Sequence, residues 1–284
     1  MIPTSWWPWE DVGHTDEAKK DVLDLFNGSS PFQTPKPVRL IRRICSLLTG
    51  CEKPELVLDF FAGSGTTGHA VMAQNAADGG NRRYILVQLP EPLDPANKDQ
   101  KTAANFCDTL GKPRTIAELT KERLRRAGKK IREEHPLYTG DYGFRVFKED
   151  SSNIRTWEPD KADLPKTLEE QTVHIKPDRT EADILVELLL KLGLDLCVAM
   201  ETKTVAGKAV QSIGAGTLLV CLDESITRTD AEPLALGIAA WHKQLAPAGE
   251  SQVVFRDSAF EDDVAKSNLA AILHQHGMTN VRSL

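Results

Sequence analysis

Apolar residues recur along the chain in two spacings, and these predict alternating helices and short strands. A helix that begins near Val38 carries an apolar stripe at helical spacing, formed by Leu40, Ile41, Ile44, Leu47 and Leu48. Two short apolar runs, 56–58 and 84–87, predict strands. We therefore expect residues 31–148 to run helix, strand, helix, strand, helix, strand. That order fits part of a mostly parallel α/β sheet.

A second α/β pattern follows a polar stretch. Residues 149–179 contain three prolines with little periodicity, which predicts a linker. Beyond it, Thr180 is expected to cap a helix that ends at Gly193. We predict further helices over 231–244 and 261–276, and strands near 196–201, 209–213, 217–222, 252–256 and 280–283. The predicted division is an irregular N-terminal segment (1–30) with an acidic helix near Thr15–Phe26, a first α/β region (31–148), the linker (149–179) and a smaller α/β module (180–284).

The most informative stretch is the glycine turn after the first strand. The run 59–68 reads Asp-Phe-Phe-Ala-Gly-Ser-Gly-Thr-Thr-Gly. A strand that ends in an acid and breaks into Gly-x-Gly brings backbone close to a ligand, and the next helix offers its unpaired amides. The turn therefore predicts a nucleotide-like cofactor, although an ordinary turn whose glycines serve only packing remains an alternative.

Three cofactors compete for this turn. The spacing of Gly63, Gly65 and Gly68 satisfies the dinucleotide fingerprint, but Gln88 stands where that fingerprint expects an acid. The P-loop reading fails, because His69 and Ala70 replace its Lys and Ser/Thr. The third candidate is S-adenosylmethionine. A carboxylate at the strand tip, Asp59, suits a cationic amino-acid moiety and repels a pyrophosphate.

A second motif lies upstream, where residues 32–37 read Phe-Gln-Thr-Pro-Lys-Pro. The prolines keep this segment extended, so that Thr34 and Lys36 can present a hydroxyl and a cation to a carboxylate. Together with the Asp-Phe-Phe-Ala-Gly-Ser-Gly-Thr-Thr run, it resembles the paired motifs of beta-class DNA amino-methyltransferases. The stretches 82–91, 118–131, 143–148 and 253–260 resemble the C-terminal part of Mod subunits, the methylases of type III restriction–modification systems.

The resemblance implies a circularly permuted, Rossmann-like S-adenosylmethionine-binding sheet, present here in part. It implies that Thr34 and Lys36 line the methionine end of the cofactor, that Asp59, Phe60, Gly63 and Gly65 form the pocket floor, and that Gln88 lies near the ribose or adenine. The full implied cofactor set is Phe32, Gln33, Thr34, Lys36, Asp59, Phe60, Ala62, Gly63, Ser64, Gly65, Thr66, Thr67 and Gln88. It also implies three partners: DNA, a second Mod protomer and the Res restriction subunit.

Adenine N6 methylation needs an Asp-Pro-Pro-Tyr type loop to hold the flipped base. The chain has no such tetrapeptide, and the nearest run, Asp94-Pro95-Ala96-Asn97, lacks the second proline and the aromatic residue. In the family this loop and the target-recognition region precede the Phe-x-Thr-Pro-Lys-Pro motif. We therefore expect no catalytic residue in this chain. We expect the chain to be a fragment or split product of a longer methylase and to be inactive alone.

Composition narrows the class of protein. No apolar run approaches the roughly 18 residues of a membrane helix. Five cysteines without paired spacing indicate buried thiols in a reducing cytoplasm and no metal site. The net charge of -6 argues against a self-sufficient DNA-binding protein. Between Lys112 and Arg132, however, nine basic residues stand against two acids, so this helix faces either DNA phosphate or solvent.

The sequence thus favours the cofactor-binding and assembly portion of a type III adenine-specific DNA methyltransferase. A non-catalytic module that binds Res or another Mod chain is the alternative. A dinucleotide-dependent oxidoreductase is disfavoured by the Phe-x-Thr-Pro-Lys-Pro motif. In the C-terminal module, Asp223 and Asp257 follow predicted strands and are expected to serve as turn formers, with a metal or phosphate role as the alternative.

Overall fold

The structure is a computed structural model that describes residues 6–51, 53–155 and 175–284. The chain divides into two compact units, Met1–Arg145 and Val146–Leu284. Most of the predicted linker, residues 156–174, lies outside the described residues. In its two described ends, an isolated bridge pairs Ile154 with Ile175.

The first unit is a small parallel sheet with helices. Its helices are α1 (Trp9–Val12), α2 (Thr15–Leu25), α3 (Val38–Leu48), α4 (Thr66–Asp78), α5 (Lys101–Thr109) and α6 (Ile116–Glu134), and its strands are β1 (Leu56–Asp59) and β2 (Arg83–Leu86). The strands pair in parallel, with Leu56 opposite Arg83 and Asp59 opposite Leu86. The predicted helix at Val38 and both predicted strands are confirmed.

The third strand that we predicted for the first region is wrong. Two helices, α5 and α6, follow β2, and residues 143–148 are irregular. Phe144 packs against the helix cluster that contains Met72 and Leu124. Val146 and Phe147 remain about half exposed, at 49% and 45%. An apolar segment forms a β-ladder only when another strand pairs with it. Here Phe144 packs against helices instead.

The second unit contains a five-stranded mixed sheet. Its elements are α7 (Glu181–Lys191), β3 (Met200–Val205), β4 (Lys208–Ile213), β5 (Leu218–Cys221), α8 (Arg228–Leu245), β6 (Gln252–Phe255), a short 3-10 turn (Asp257–Ala259), α9 (Asp263–Gln275) and β7 (Asn280–Ser283). The strand order is β3-β4-β5-β6-β7, antiparallel through β5 and parallel from β5 to β7. The predicted strand at 196–201 begins four residues too early.

The cap that we predicted at Thr180 is confirmed. The Thr180 hydroxyl accepts from the Asp183 amide at 3.3 Å, and Asp183 Oδ2 accepts from the Thr180 amide at 2.9 Å. This reciprocal pair satisfies two amides that the first helical turn leaves open. The helix then packs its leucines on one face of the sheet, with Leu218, Val220 and Val254, while α8 and α9 cover the other face.

Two expectations about side chains meet different outcomes. The thiols of Cys45, Cys107 and Cys221 are buried, but Cys51 and Cys197 are exposed, so the prediction of buried thiols is wrong for these two. At the strand ends, Asp223 Oδ1 lies 3.3 Å from Lys208 Nζ, and Asp257 Oδ1 lies 2.5 Å from Lys266 Nζ. Ion pairing of both carboxylates favours a structural role for Asp223 and Asp257 over a metal or phosphate role.

Candidate cofactor-binding site

The glycine turn joins β1 to α4 through two residues with positive φ. Gly63 has φ of 49° and Gly65 has φ of 75°, in the left-handed region that favours glycine. Gly65 is the N-cap of α4, and no side chain caps the helix there. The turn therefore presents the start of a 13-residue helix, whose first amides carry the positive end of the helix dipole.

Asp59 and Gln88 hold the turn from inside. Asp59 Oδ2 accepts from the Thr67 hydroxyl at 2.6 Å, and Oδ1 accepts from the Phe61 amide at 3.1 Å. Gln88 Oε1 accepts from the Gly63 amide at 2.7 Å. Gln88, which stands where the dinucleotide fingerprint expects an acid, is thus hydrogen-bonded to the glycine turn. Both side chains therefore fix the conformation of the loop.

The Phe-Gln-Thr-Pro-Lys-Pro segment lies beside this turn. The Thr66 hydroxyl donates to the Lys36 carbonyl at 3.3 Å, across 30 residues of sequence. The side chains of Gln33, Thr34 and Lys36 are exposed, and Gln33 Nε2 donates to the Asp99 carbonyl at 2.9 Å. Three separate stretches of the predicted set, around Lys36, Gly63 and Gln88, therefore converge.

The aromatic members of the set differ in exposure. Phe32 is 5% exposed and packs edge-on against Phe26, with ring centres 5.9 Å apart. Its ring therefore supports the extended segment from within the core. Phe60 is 62% exposed beyond the end of β1, so its ring is open for stacking. Ala62 is buried, and its amide donates to the Val87 carbonyl.

Two of the glycines also serve close packing against α6. A Cβ on Gly65 would lie 2.9 Å from Thr120 Cγ2, and a Cβ on Gly68 would lie 2.7 Å from Leu124 Cδ2. Real Cβ atoms do not tolerate such approaches. The packing explanation that we set beside the cofactor explanation is therefore correct for Gly68, whereas Gly65 serves both backbone conformation and packing.

Sequence reasoning missed two residues of α6 that hold the turn. The Thr120 hydroxyl donates to the Gly63 carbonyl at 2.5 Å. Arg123 Nη1 donates to Ser64 Oγ at 2.7 Å and to Thr66 Oγ1 at 2.9 Å. Arg123 is fully buried, although we counted it among the basic residues of a surface helix. A signal was present: Arg123 lies four residues after Leu119 and four before Ala127, within the apolar stripe.

The remaining basic residues of α6 are engaged within the unit. Arg126 pairs with Glu122 at 2.6 Å and stacks over Phe26 and Phe106. Arg125 lies 3.6 Å from Glu122 and over the Phe144 ring. Lys129 and Lys130 lie near Glu133 and Glu134. Intramolecular partners on most of the run favour the solvent-facing reading of this helix over the DNA-facing one.

His69 is the strongly perturbed base of this unit. Its Nδ1 is buried, and no hydrogen-bond partner for it lies among the residues that the structure describes. Burial, with smaller contributions from the nearby cations Arg123, Lys130 and Arg42, lowers the pKa of His69 to about 3. The imidazole is therefore neutral at ordinary pH. It lies in the first turn of α4, where the P-loop pattern would have placed a lysine.

Residues 2–89 match the DNA methylase family. The chain is 41% identical over 140 residues to the type III restriction-modification enzyme StyLTI Mod subunit of Salmonella typhimurium, which covers 49% of the chain and 20% of that protein. It is 36% identical over 132 residues to the EcoP15I Mod subunit of Escherichia coli, which covers 46% of the chain and 18% of the relative.

A further relative is the type II methyltransferase M.KpnI of Klebsiella pneumoniae, 41% identical over 87 residues, which cover 30% of this chain and 20% of that protein. The predicted resemblance to type III Mod subunits is thus confirmed, and over about half of its length the chain is a relative of these subunits. It spans about a fifth of the length of the curated relatives it matches. No helix in the described ranges is long and apolar enough to cross a membrane.

Proposed function

We propose that the first unit is the S-adenosylmethionine-binding portion of a type III DNA methyltransferase that modifies adenine at N6. The convergence of three predicted segments carries this proposal: Thr66 bonds to Lys36, and Gly63 bonds to Gln88. The similarity to Mod subunits and to the DNA methylase family supports it. The implied fold is a permuted Rossmann-like sheet, of which β1 and β2 are two parallel strands.

The exposed groups around the turn fit such a cofactor. Thr34 and Lys36 would hold its carboxylate, since a hydroxyl and an ammonium are donors that a carboxylate prefers. The first turn of α4 favours partial negative charge at the same place. Asp59 and Gln88 would act through the turn that they hold. When bound, S-adenosylmethionine supplies an electrophilic methyl group for transfer.

The S-adenosylmethionine proposal predicts selective binding in calorimetric titration. The purified chain should bind S-adenosylmethionine and give no heat with NAD. Lys36→Ala should weaken binding at least about tenfold, because a charge-assisted hydrogen bond contributes roughly 1.5–3 kcal/mol.

Lys53→Ala is the matched control, because Lys53 is exposed and precedes β1 at the end opposite the turn. Binding of NAD in preference to S-adenosylmethionine would reinstate the oxidoreductase reading. A Lys36 variant that binds like wild type would remove that side chain from the site.

The sheet of the first unit bears an apolar face that points to further polypeptide. Leu58 and Ile85 lie opposite each other and are 49% and 45% exposed, and Leu56 beside them is 53% exposed. Parallel sheets are normally covered on both faces. A cleft of about 470 Å³ between α3 and β1 is lined by Ile44, Leu48 and Leu56. We infer that further methylase polypeptide covers this face, in keeping with relatives about five times longer than the matched part.

This inference predicts a specific docking result. The tagged chain should retain a StyLTI Mod polypeptide from which the matching 140 residues are deleted, and the pair should transfer labelled methyl groups to DNA while the chain alone should not. Leu58→Asp with Ile85→Asp should abolish retention, because charges on a covered apolar face are left unpaired.

Leu137→Asp is the control, since Leu137 is 94% exposed and lies outside the sheet. Retention that survives the paired sheet substitution would contradict docking at this face. Robust methyl transfer by the chain alone would contradict the need for a separate catalytic loop.

The second unit is proposed to serve assembly, through contact with a second Mod protomer or a Res subunit. The pairing of Asp223 and Asp257 with lysines supports a structural role for this unit over a catalytic one. Within the described residues, no group of three potential metal-ligating side chains occurs in either unit.

A further inference from the structure

Arg123 of α6 lies under the glycine turn and is its only buried cationic contact among the residues described. Its Nη1 donates to Ser64 Oγ at 2.7 Å, to Thr66 Oγ1 at 2.9 Å and to the Ser64 carbonyl at 3.3 Å. These three acceptors lie on either side of Gly65, the N-cap of α4. One guanidinium nitrogen therefore spans the point at which the strand becomes the helix.

Burying the charged side chain of Arg123 costs free energy that a purely structural role does not require. The side chain is completely buried, and no carboxylate pairs with it within the described ranges. Its Nε and Nη2 are buried without a hydrogen-bond partner there. Burial lowers the pKa of Arg123 to about 10, and the charge of Asp21 on α2 raises it in part. An apolar residue of similar volume is often as stable or more stable at such a site.

The neighbouring contacts show what the buried cation does. Ser64 Oγ and Thr66 Oγ1 lie 3.1 Å apart and both accept from Arg123. Thr66 also donates to the Lys36 carbonyl, so that Arg123, Thr66 and the extended segment form one chain of hydrogen bonds. Arg123 thereby orients the two hydroxyls and links the turn to the segment that bears Thr34 and Lys36.

We propose that Arg123 is a positioning residue for the cofactor site: it holds Ser64 and Thr66 so that the turn and the Lys36 segment are ordered before the cofactor binds. This inference rests on the proposed function for its ligand, S-adenosylmethionine. It concerns a residue outside the predicted cofactor set, on a different helix. A pre-ordered site binds more tightly, because less conformational freedom is lost on binding.

Arg123→Met separates positioning from packing, because methionine keeps the apolar stem and removes the donors. We expect thermal unfolding within a few degrees of wild type, affinity for S-adenosylmethionine about tenfold weaker, and faster hydrogen exchange at the amides of residues 64–66. Arg123→Lys restores one donor group and should recover part of the affinity. Arg126→Met is the matched control, since Arg126 is on the same helix but contacts Leu25, Phe26 and Phe106 rather than the turn.

The outcomes are distinguishable. Wild-type affinity and wild-type amide exchange in Arg123→Met would overturn the positioning role. Loss of affinity to the same degree in Arg126→Met would also overturn it. If Arg123→Met does not fold, the affinity and exchange of Arg123→Lys decide in the same way. If the wild-type chain binds no S-adenosylmethionine, the proposed function fails, and the exchange rates of residues 64–66 still test whether Arg123 orders the turn.

Discussion

Lowering the pH from 6.5 to about 3 should remove up to about 4 kcal/mol of stability from the first unit through His69 alone. The folded pKa of this imidazole is about 3, below its ordinary value of 6.5. Well above pH 6.5 the imidazole is neutral in both the folded and the unfolded state, and proton binding at His69 does not lower the stability. As the pH falls, the unfolded state binds a proton and the folded state does not, so stability declines by about 1.4 kcal/mol per pH unit.

The measurement is urea unfolding of wild type and His69→Gln at several pH values between 7.5 and 4. Other titrating groups, including Asp21 with its raised pKa, act equally in both proteins, so that the difference between them isolates His69. The advantage of wild type over His69→Gln should shrink as the pH falls. A difference that stays constant with pH would show that His69 is not held neutral by the fold.

Local patterns predicted the parts of the fold that short-range physics determines. The strand tip, the glycine turn and the helix that follows it are encoded within ten residues, and all three are present. The Thr180 cap needed only two side chains three residues apart. Such features depend on backbone dihedrals and neighbouring amides, which a sequence shows directly.

These local patterns did not predict which side chains are buried by residues distant in the sequence. The basic run between Lys112 and Arg132 indicated an exposed helix. Arg123 is buried, and it differs from the exposed Arg125 only in the face of α6 that it occupies. The role of Asp59 at the cofactor stays a prediction, and within the turn its two oxygens bond to Phe61 and Thr67. A carboxylate at a strand tip has two possible partners, its own turn or a ligand, and composition does not distinguish between them.

Gly65→Ala should cause a large loss at the turn, about 2–5 kcal/mol of stability. The residue has φ of 75°, a conformation that costs an L side chain about 1–2 kcal/mol. The new methyl group would also lie 2.9 Å from Thr120 Cγ2, and overpacking of this kind costs typically 1–3 kcal/mol. Because Thr120 holds the Gly63 carbonyl, its displacement should also weaken S-adenosylmethionine binding at least tenfold.

Gly79→Ala separates strain from packing at the other end of the same helix. Gly79 is the C-cap of α4, with φ of 70°, and nothing lies within 4 Å of a Cβ built there. Gly79→Ala should therefore show only the cost of the left-handed conformation, about 1–2 kcal/mol, with unchanged cofactor affinity. Equal destabilisation in the two variants, measured by urea unfolding, would mean that α4 moves away from Thr120 at little cost. The packing of the turn against α6 would then not determine the geometry of the proposed cofactor site.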